Sequence, residues 1–263
     1  MPLTGAFIVP HPPIILTEIG LGSEIQIAAT INAYLCISYL LAKSNVDTVV
    51  IVSPHAPMAA DKFIISGGDH SVGSFASFDV PALKVGADND RELIDLIASH
   101  AEKSSIPVTI DETPDPLDHG TMIPLKFIKS KSPNVKLVRI AFSELSLETH
   151  YEFGKVINEA IAASGKNVAV VASCDLSHRL QKYGPYGFAK EGPLYDEQIV
   201  KICGSGDLHQ LVTFDEEIRE KAMECGHRSM TILGGAIEGM DLTPEVLSYE
   251  RVTGVGYMVC EFK

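Results

Sequence analysis

The sequence has few basic residues and lacks several motifs that mark common enzyme classes. Its 263 residues include 21 lysines and arginines against 34 aspartates and glutamates, which gives a formal net charge of −13. This charge disfavours nucleic acid and anionic membrane surfaces as default partners. No glycine-rich phosphate loop and no GxSxG nucleophile elbow is present, so neither a nucleotide-binding loop nor a serine hydrolase is indicated.

The cysteines and the N-terminus point to a cytoplasmic location. There are five cysteines, an odd number, and no CxxC pair, which favours reduced thiols over a disulfide framework. No basic segment precedes an apolar run at the N-terminus, and polar residues interrupt the longest apolar stretch, residues 27–42. We therefore expect a cytoplasmic protein without a membrane span.

Short β-rich runs alternate with longer segments of helical spacing, which is typical of an α/β fold. We predict a mixed central sheet with helices on both faces, in one compact domain over residues 1–263. The predicted strands are Gly5–Val9, Thr48–Ser53, Lys62–Ser66, Pro107–Ile110, Lys136–Phe142, Val168–Ser173 and Gly256–Phe262. The predicted helices are Glu24–Lys43, Asp90–Glu102, Thr121–Lys129, Leu147–Ser164, Leu194–Cys203, Asp215–Glu224 and Ser229–Glu238.

Four histidines follow strands or precede helices in similar surroundings. His11 follows a strand in Val-Pro-His-Pro-Pro, and His55 follows another in Ser-Pro-His-Ala-Pro. His178 ends Asp-Leu-Ser-His after a third strand, three residues beyond Asp175, and His119 stands in Leu-Asp-His-Gly before a helix. Ligands of α/β sheets bind beyond the carboxyl ends of strands, and proline restricts the turns that would hold these rings. The pattern indicates a metal site.

A single loop histidine is more often a hydrogen-bonded structural residue than a metal ligand. We read four further histidines as surface residues because they fall in polar loops or on helix faces: His70, His100, His150 and His209. Two imidazoles need at least one more ligand, and the candidates lie together before a late helix: Glu224, Cys225 and His227. The alternative for this cluster is that Glu224 caps the helix and Cys225 is simply buried.

These motifs, in this order, resemble those of the class III extradiol ring-cleavage dioxygenases, of the protocatechuate dioxygenase catalytic-subunit type. The sequence is especially similar to the branch that also holds the Memo proteins, which share the fold without an established ring-cleaving role. The resemblance runs from residue 5 to the stretch Tyr249–Phe262.

The resemblance implies a non-haem Fe(II) site in which a catecholic substrate and O2 meet at the metal. The matching metal ligands are His11 and His55. His178 matches the family's acid/base histidine, which Asp175 would orient, and His119 matches a histidine that lines the substrate pocket. Relatives of this type commonly assemble, so the resemblance also implies a homo-oligomer.

The third ligand departs from the ring-cleaving pattern. Ring-cleaving members have Glu there, whereas the Memo type has Cys followed by Gly, and here Glu224 and Cys225 stand side by side. Glu224 would suit Fe(II) as a hard oxygen ligand, and Cys225 would shift the preference toward Zn or Cu. Two functions stay open: extradiol ring cleavage, and a Memo-like metal-binding protein with a redox or partner-binding role and no ring cleavage.

Overall fold

A mixed eight-stranded sheet forms the centre of the computed structural model, which describes residues 3–113 and 115–263. In chain order the strands are β1 (Leu3–Val9), β2 (Thr48–Ser53), β3 (Phe63–Ser66), β4 (His70–Phe75), β5 (Val80–Asp88), β6 (Val108–Asp111), β7 (Lys136–Ala141), β8 (Val168–Ser173), β9 (Pro244–Glu250) and β10 (Tyr257–Phe262). The α-helices are α1 (Thr17–Gly20), α2 (Ala28–Lys43), α3 (Arg91–Lys103), α4 (His119–Lys129), α5 (Leu147–Ser164), α6 (Glu191–Ser205), α7 (Glu216–Ala222) and α8 (His227–Ala236).

The strand order across the central sheet is β6-β3-β7-β2-β8-β1-β10-β9. Strands β7, β2, β8 and β1 run parallel, so their carboxyl ends lie at one edge of the sheet. Strands β2 and β8 are buried along their whole length, as expected for the apolar runs TVVIVS and VAVVAS in the middle of a parallel sheet. Antiparallel pairs of β10 with β1 and of β3 with β7 make the sheet mixed, which confirms the predicted fold class.

Helices cover both faces of the sheet, because successive residues of a strand point to opposite sides. Ala6 and Ile8 of β1 join a core formed with α3, α5, α6 and α8, whereas Phe7 and Val9 join a second core formed with α2 and α4. The carboxyl edge of the parallel strands is thus held between two packed layers.

Helices α5 and α8 approach each other closely through glycines. A Cβ on Gly235 would lie 1.8 Å from the carbonyl oxygen of Tyr151, and one on Gly154 would lie 2.0 Å from that of Ile232. No larger residue fits at either position without moving the backbone. The close contact fixes α8, whose first turn follows Cys225.

The sequence did not predict strands β4, β5 and β9. Strands β4 and β5 form a separate two-stranded antiparallel sheet, and β9 lies at the edge of the central sheet. Long apolar runs are absent from these segments because most of their residues are half-buried or exposed. Strand β5 also contains Pro81, a residue typical of strand edges.

One stretch of the described chain, Ser23–Lys43, is long and apolar enough by composition to cross a membrane, and 39% of its most apolar part is buried. The core helix of a soluble protein meets the same criteria. The side chains of Tyr34, Ile37 and Leu41 lie in the core on one face of the sheet, whereas that of Tyr39 is exposed.

The prediction that His150 is a surface residue is wrong. His150 lies in α5 and is 0% exposed, because its ring packs edge-on to Phe63 and Phe142. Its Nδ1 donates a hydrogen bond to the carbonyl oxygen of Ser146 at 2.8 Å, and its Nε2 accepts one from the backbone N–H of Ser143 at 3.4 Å. Burial lowers the pKa of His150 to about 4, so the ring is neutral and structural.

Asp196 connects helix α6 to the loop that follows β8 by a hydrogen bond. It is 1% exposed, and its carboxylate accepts hydrogen bonds from the backbone N–H of Ser177 at 2.8 Å and from the hydroxyl of Tyr249 at 2.7 Å. Burial raises the pKa of Asp196 from its ordinary value of 3.8 to about 7, although both hydrogen bonds oppose the shift.

We expect Asp196 to make the folded state less stable as the pH rises from the ordinary pKa of 3.8 to about 7, since only the native state still holds the proton. Asp196→Asn removes this titration and keeps one acceptor for Ser177 and an amide donor for Tyr249. Relative to the wild type, the variant should gain on the order of 2 kcal/mol between about pH 5 and about pH 8. Urea unfolding at both pH values measures this gain, and equal pH dependence of the two proteins would contradict it.

Candidate metal centre

Three potential ligand atoms converge beyond the carboxyl edge of the parallel strands. The Nε2 atoms of His11 and His55 are 3.1 Å apart, and Sγ of Cys225 is 3.5 Å from Nε2 of His11. All three atoms lie within 4.8 Å of one another. His11 follows β1, His55 follows β2, and Cys225 precedes α8, so the topology brings residues distant in sequence to one point.

Hydrogen bonds fix the tautomer of His11. Its Nδ1 lies 2.8 Å from Oγ of Ser173, and that hydroxyl donates its own proton to the carbonyl oxygen of Gly120 at 2.6 Å. The hydroxyl of Ser173 must therefore accept from Nδ1–H, which leaves the lone pair on Nε2 free to bind a metal. The backbone N–H of His11 also donates to Oδ1 of Asp175 at 2.8 Å.

Hydrogen bonds through the backbone hold the turn of His55. Its backbone N–H donates to Oγ of Ser53 at 3.3 Å, and Ser53 donates to Oδ1 of Asp118 at 2.5 Å. Asp118 is the N-cap of α4 and accepts from the backbone N–H of Thr121, so helix α4 and the turn of His55 are fixed by one carboxylate.

Both imidazoles have lowered pKa values, although His11 is buried and His55 is exposed. Burial is the largest cause of the shift in His11, and the neighbouring rings of His55, His119 and His178 lower its pKa further. Burial also lowers the pKa of His55, although Asp118 opposes the shift. A neutral imidazole is the form that binds metals.

Two of the three separations between these atoms fit a transition metal. Ligands about 2.0–2.3 Å from a metal, at angles of about 90–110°, lie about 3–3.6 Å apart. The observed separations of 3.1 and 3.5 Å fall in this range. The cluster combines two nitrogens with one sulfur, a set that suits soft and borderline metals.

Cys225 reaches this position because the next residue has no side chain. A Cβ on Gly226 would lie 2.3 Å from Cβ of Cys174, which follows β8, so only glycine lets the start of α8 lie against that strand end. The Cys225 thiol contacts the carbonyl oxygen of Asp175 at 3.6 Å. Burial raises the pKa of this thiol well above its ordinary value of 9.0, so the deprotonated form needs a cation such as a metal ion nearby.

Glu224 lies outside this group of ligand atoms and faces the start of α8. Its carboxylate accepts a hydrogen bond from the backbone N–H of His227 at 2.6 Å and lies 3.8 Å from the guanidinium of Arg219. A carboxylate at a helix N-terminus satisfies backbone donors that have no partner within the helix. Of the two residues left open by the sequence, the structure brings Cys225 to the histidines, and Glu224 anchors the helix that follows it.

His227, the third candidate from the sequence, is part of the core. It is 0% exposed, and its Nε2 donates to the carbonyl oxygen of Leu211 at 2.9 Å while Nδ1 lies 3.1 Å from the hydroxyl of Tyr195. Both ring nitrogens are thus engaged. Burial lowers the pKa of His227 to about 3.

The remaining site residues expected from the sequence surround the cluster. The ring of His119 stacks on His55 with centroids 4.2 Å apart, and burial lowers the pKa of His119 to about 4. His178 packs edge-on to Tyr186 at 5.2 Å, and its buried Nδ1 has no hydrogen-bond partner in the described part of the chain. Oδ2 of Asp175 lies 3.9 Å from Nε2 of His11, and burial raises the pKa of Asp175 to about 7.

The sequence reading missed three residues of this site. Ser173 orients the ring of His11 and Ser53 holds the backbone of His55, and each is the last residue of its strand, a shared position that could have been noticed. Phe78 lies between β4 and β5 and packs edge-on to His119 at 5.4 Å. No local pattern marked Phe78, because the hairpin that carries it was not predicted.

Comparisons with known proteins cover nearly the whole chain. The family model described as the catalytic LigB subunit of aromatic ring-opening dioxygenase matches residues 5–260. A protein of Clostridium acetobutylicum is 34% identical over an alignment that covers 100% of this chain and 58% of that protein. The chain therefore spans little more than half the length of this relative.

More distant relatives carry the Memo name. MEMO1 family proteins of Pyrobaculum aerophilum and Methanosarcina barkeri are 26% and 25% identical over 77% and 73% of this chain, and the alignments cover 69% of each. A crystal structure of an uncharacterized protein from Escherichia coli K12 has a similar fold, with a TM-score of 0.70 at 15% identity over 99% of this chain and 100% of that one.

A comparison of Cys225→Ser with Glu224→Gln tests which of the two residues binds the metal. We expect Cys225→Ser to lower the affinity for the metal more than about 100-fold, a larger loss than removal of a residue that only positions a ligand. Glu224→Gln should still bind as many metal ions per chain as the wild type. The absorption spectrum of the Co²⁺-loaded protein is a second measurement, since only a bound thiolate gives a sulfur-to-cobalt charge-transfer band. A variant pair in which Glu224→Gln loses the metal and Cys225→Ser keeps it would contradict this assignment.

Ser173→Ala removes the acceptor that orients His11 and leaves the carbonyl oxygen of Gly120 without its donor. We expect a loss of about 10–100-fold in metal affinity with unchanged stoichiometry, the usual effect of removing a ligand's hydrogen-bond partner. Ser248→Ala on the edge strand β9 is a matched control, because that buried hydroxyl has no partner among the described residues. Competition with a chelator measures both, and equal affinities would refute the role of Ser173.

Proposed function

This chain belongs to the family of the catalytic LigB subunit of aromatic ring-opening dioxygenases, within its Memo-like branch, and we propose that it is a metal-dependent oxidoreductase whose metal is held by His11, His55 and Cys225. The position of Cys225 carries this proposal, because a thiol stands beside the two imidazoles where a carboxylate would complete an oxygenase site. Two imidazoles and a thiolate favour copper or zinc over Fe(II). Only copper of these two changes oxidation state, so copper is the metal of the proposed function.

A metal bound at this point would supply Lewis-acid and electron-transfer chemistry next to the surrounding imidazoles. The chain's own groups would bind and orient a small substrate and handle its protons. His178 is neutral at pH 7 because burial lowers its pKa, so it can accept a proton from a substrate hydroxyl.

Asp175 supports the same site from the other side. Its Oδ1 accepts the backbone N–H of His11, and its backbone oxygen contacts the thiol of Cys225. One residue thus holds the turns of two proposed ligands. A carboxyl whose pKa is raised to about 7 can also hold a proton near neutral pH.

Extradiol ring cleavage remains a second candidate, favoured by the imidazoles around the cluster. His119 and His178 flank the proposed metal position, and His119 packs against Phe78. Aromatic and imidazole rings on both sides suit a planar catecholic substrate. This candidate needs Fe(II) and O2 at a site that has a thiol among its donors.

Loading the protein with one equivalent of Cu²⁺ tests the first proposal. We expect a sulfur-to-copper charge-transfer band that ascorbate bleaches and air restores, and we expect Cys225→Ser to lack it. Cys36→Ser is the matched control, because Cys36 is an exposed cysteine on α2 outside the cluster. If the protein binds Zn²⁺ stably and the Cu²⁺-loaded protein has no band that ascorbate bleaches and air restores, an oxidoreductase role is excluded.

A second experiment distinguishes the two functions. Protein reconstituted with Fe²⁺ and mixed with catechol or protocatechuate in air should give no yellow ring-fission product under the first proposal. Sustained formation of that product would instead support ring cleavage. In that case His178→Gln should abolish turnover and retain the metal, while His209→Gln on the surface should change neither.

A further inference from the structure

A cavity of about 380 Å³ lies apart from the metal cluster, between the start of α5, the segment before α7, and the start of α8. This volume is within the range of small-molecule sites. Part of its wall is apolar and is formed by Leu145, Val212 and Phe214. None of the three proposed metal ligands lines it.

Arg219 faces this cavity without a hydrogen-bonded partner. The residue is 7% exposed, and its nearest carboxylates, those of Glu216 and Glu224, are each 3.8 Å from a guanidinium nitrogen. These distances are too long for hydrogen bonds. The buried Nε of Arg219 has no partner within the described ranges 3–113 and 115–263.

Arg228 lines the same cavity from the first turn of α8. Its guanidinium carbon lies 5.9 Å from the ring centroid of Phe142, and its buried Nε also lacks a partner among the residues that the structure describes. No carboxylate of those residues lies within 4.0 Å of its nitrogens, in contrast to half-buried Arg91, which pairs with Glu112 at 2.7 Å. Two arginines therefore line one cavity, and the Nε of each lacks a hydrogen-bond partner among the described residues.

The other charged groups around the arginines narrow the ligand class. Glu144, Glu148 and Glu216 are exposed at the rim of the cavity, where they would repel a multiply charged anion such as phosphate. Glu224 lies 3.8 Å from Arg219, and the charges of Arg219 and Arg228 both lower its pKa against the effect of burial, so one carboxylate already lies near the two arginines. Burial keeps the nearby imidazoles of His150 and His227 neutral. One unit of negative charge on an apolar body fits both the arginines and the wall.

We propose that this cavity binds a small monocarboxylate, with the carboxylate held by Arg219 and Arg228 and the hydrocarbon part packed on Val212 and Phe214. Guanidinium groups present paired N–H donors that match a carboxylate in geometry. A buried guanidinium without a partner is costly, and a bound carboxylate removes that cost. The site is independent of the metal and of the proposed oxidoreductase function.

Butyrate is the probe for this site, measured by isothermal titration calorimetry and by the shift in melting temperature. We expect saturable binding of one butyrate per chain and weaker binding of inorganic phosphate. Arg219→Met and Arg228→Met should each weaken butyrate binding at least tenfold, since each removes a charge-assisted hydrogen bond. Arg228→Lys keeps the charge and should lose less than Arg228→Met.

Two controls separate this site from the metal centre and from the general charge of the surface. His55→Ala should bind butyrate as the wild type does, which excludes binding at the metal, and Arg91→Met should do so as well. Circular dichroism of each variant checks that it folds. Any of three results would overturn the proposal. These are no butyrate binding by the wild type, wild-type affinity for butyrate in both Arg219→Met and Arg228→Met, and tighter binding of phosphate than of butyrate.

Discussion

The hydrogen bond between Nδ1 of His11 and Oγ of Ser173, at 2.8 Å, is the interaction on which the candidate metal centre depends. Ser173 ends β8 and His11 follows β1, and these two strands pair in parallel, so the register of the sheet brings the hydroxyl to the ring. Because Ser173 donates to Gly120 at the start of α4, the same hydroxyl connects both strands to the helix that carries His119. The orientation of one imidazole is thus a consequence of how the central sheet is paired.

Burial gives the site its protonation states. Burial lowers the pKa values of His11 and His55 and raises that of the Cys225 thiol, although only His11 is fully buried, His55 is exposed and Cys225 is half-buried. Neutral imidazoles are ready to bind a metal, whereas the thiol must lose a proton first. At the separate cavity, the buried Nε groups of Arg219 and Arg228 have no hydrogen-bond acceptor among the described residues, and a buried donor without an acceptor is costly.

Most of the sheet and the approximate place of the site could be predicted from the sequence, because both follow from local patterns. Uninterrupted apolar runs mark β2 and β8, and the prolines beside His11 and His55 mark the turns that end β1 and β2. The choice between Glu224 and Cys225 could not be made, since it depends on the close approach of Gly226 to Cys174, a contact between residues far apart in the chain. The burial of His150 and the position of Phe78 likewise arise from tertiary packing, which no local periodicity encodes.

A crystal structure of the metal-loaded protein, with anomalous diffraction at the absorption edge of the metal, tests most directly whether Cys225 completes the site. We predict one metal ion bound by Nε2 of His11 and His55 at about 2.0 Å and by Sγ of Cys225 at about 2.3 Å, with Glu224 still at the start of α8. A metal bound by a carboxylate oxygen of Glu224, with the sulfur of Cys225 turned away, would contradict the assignment.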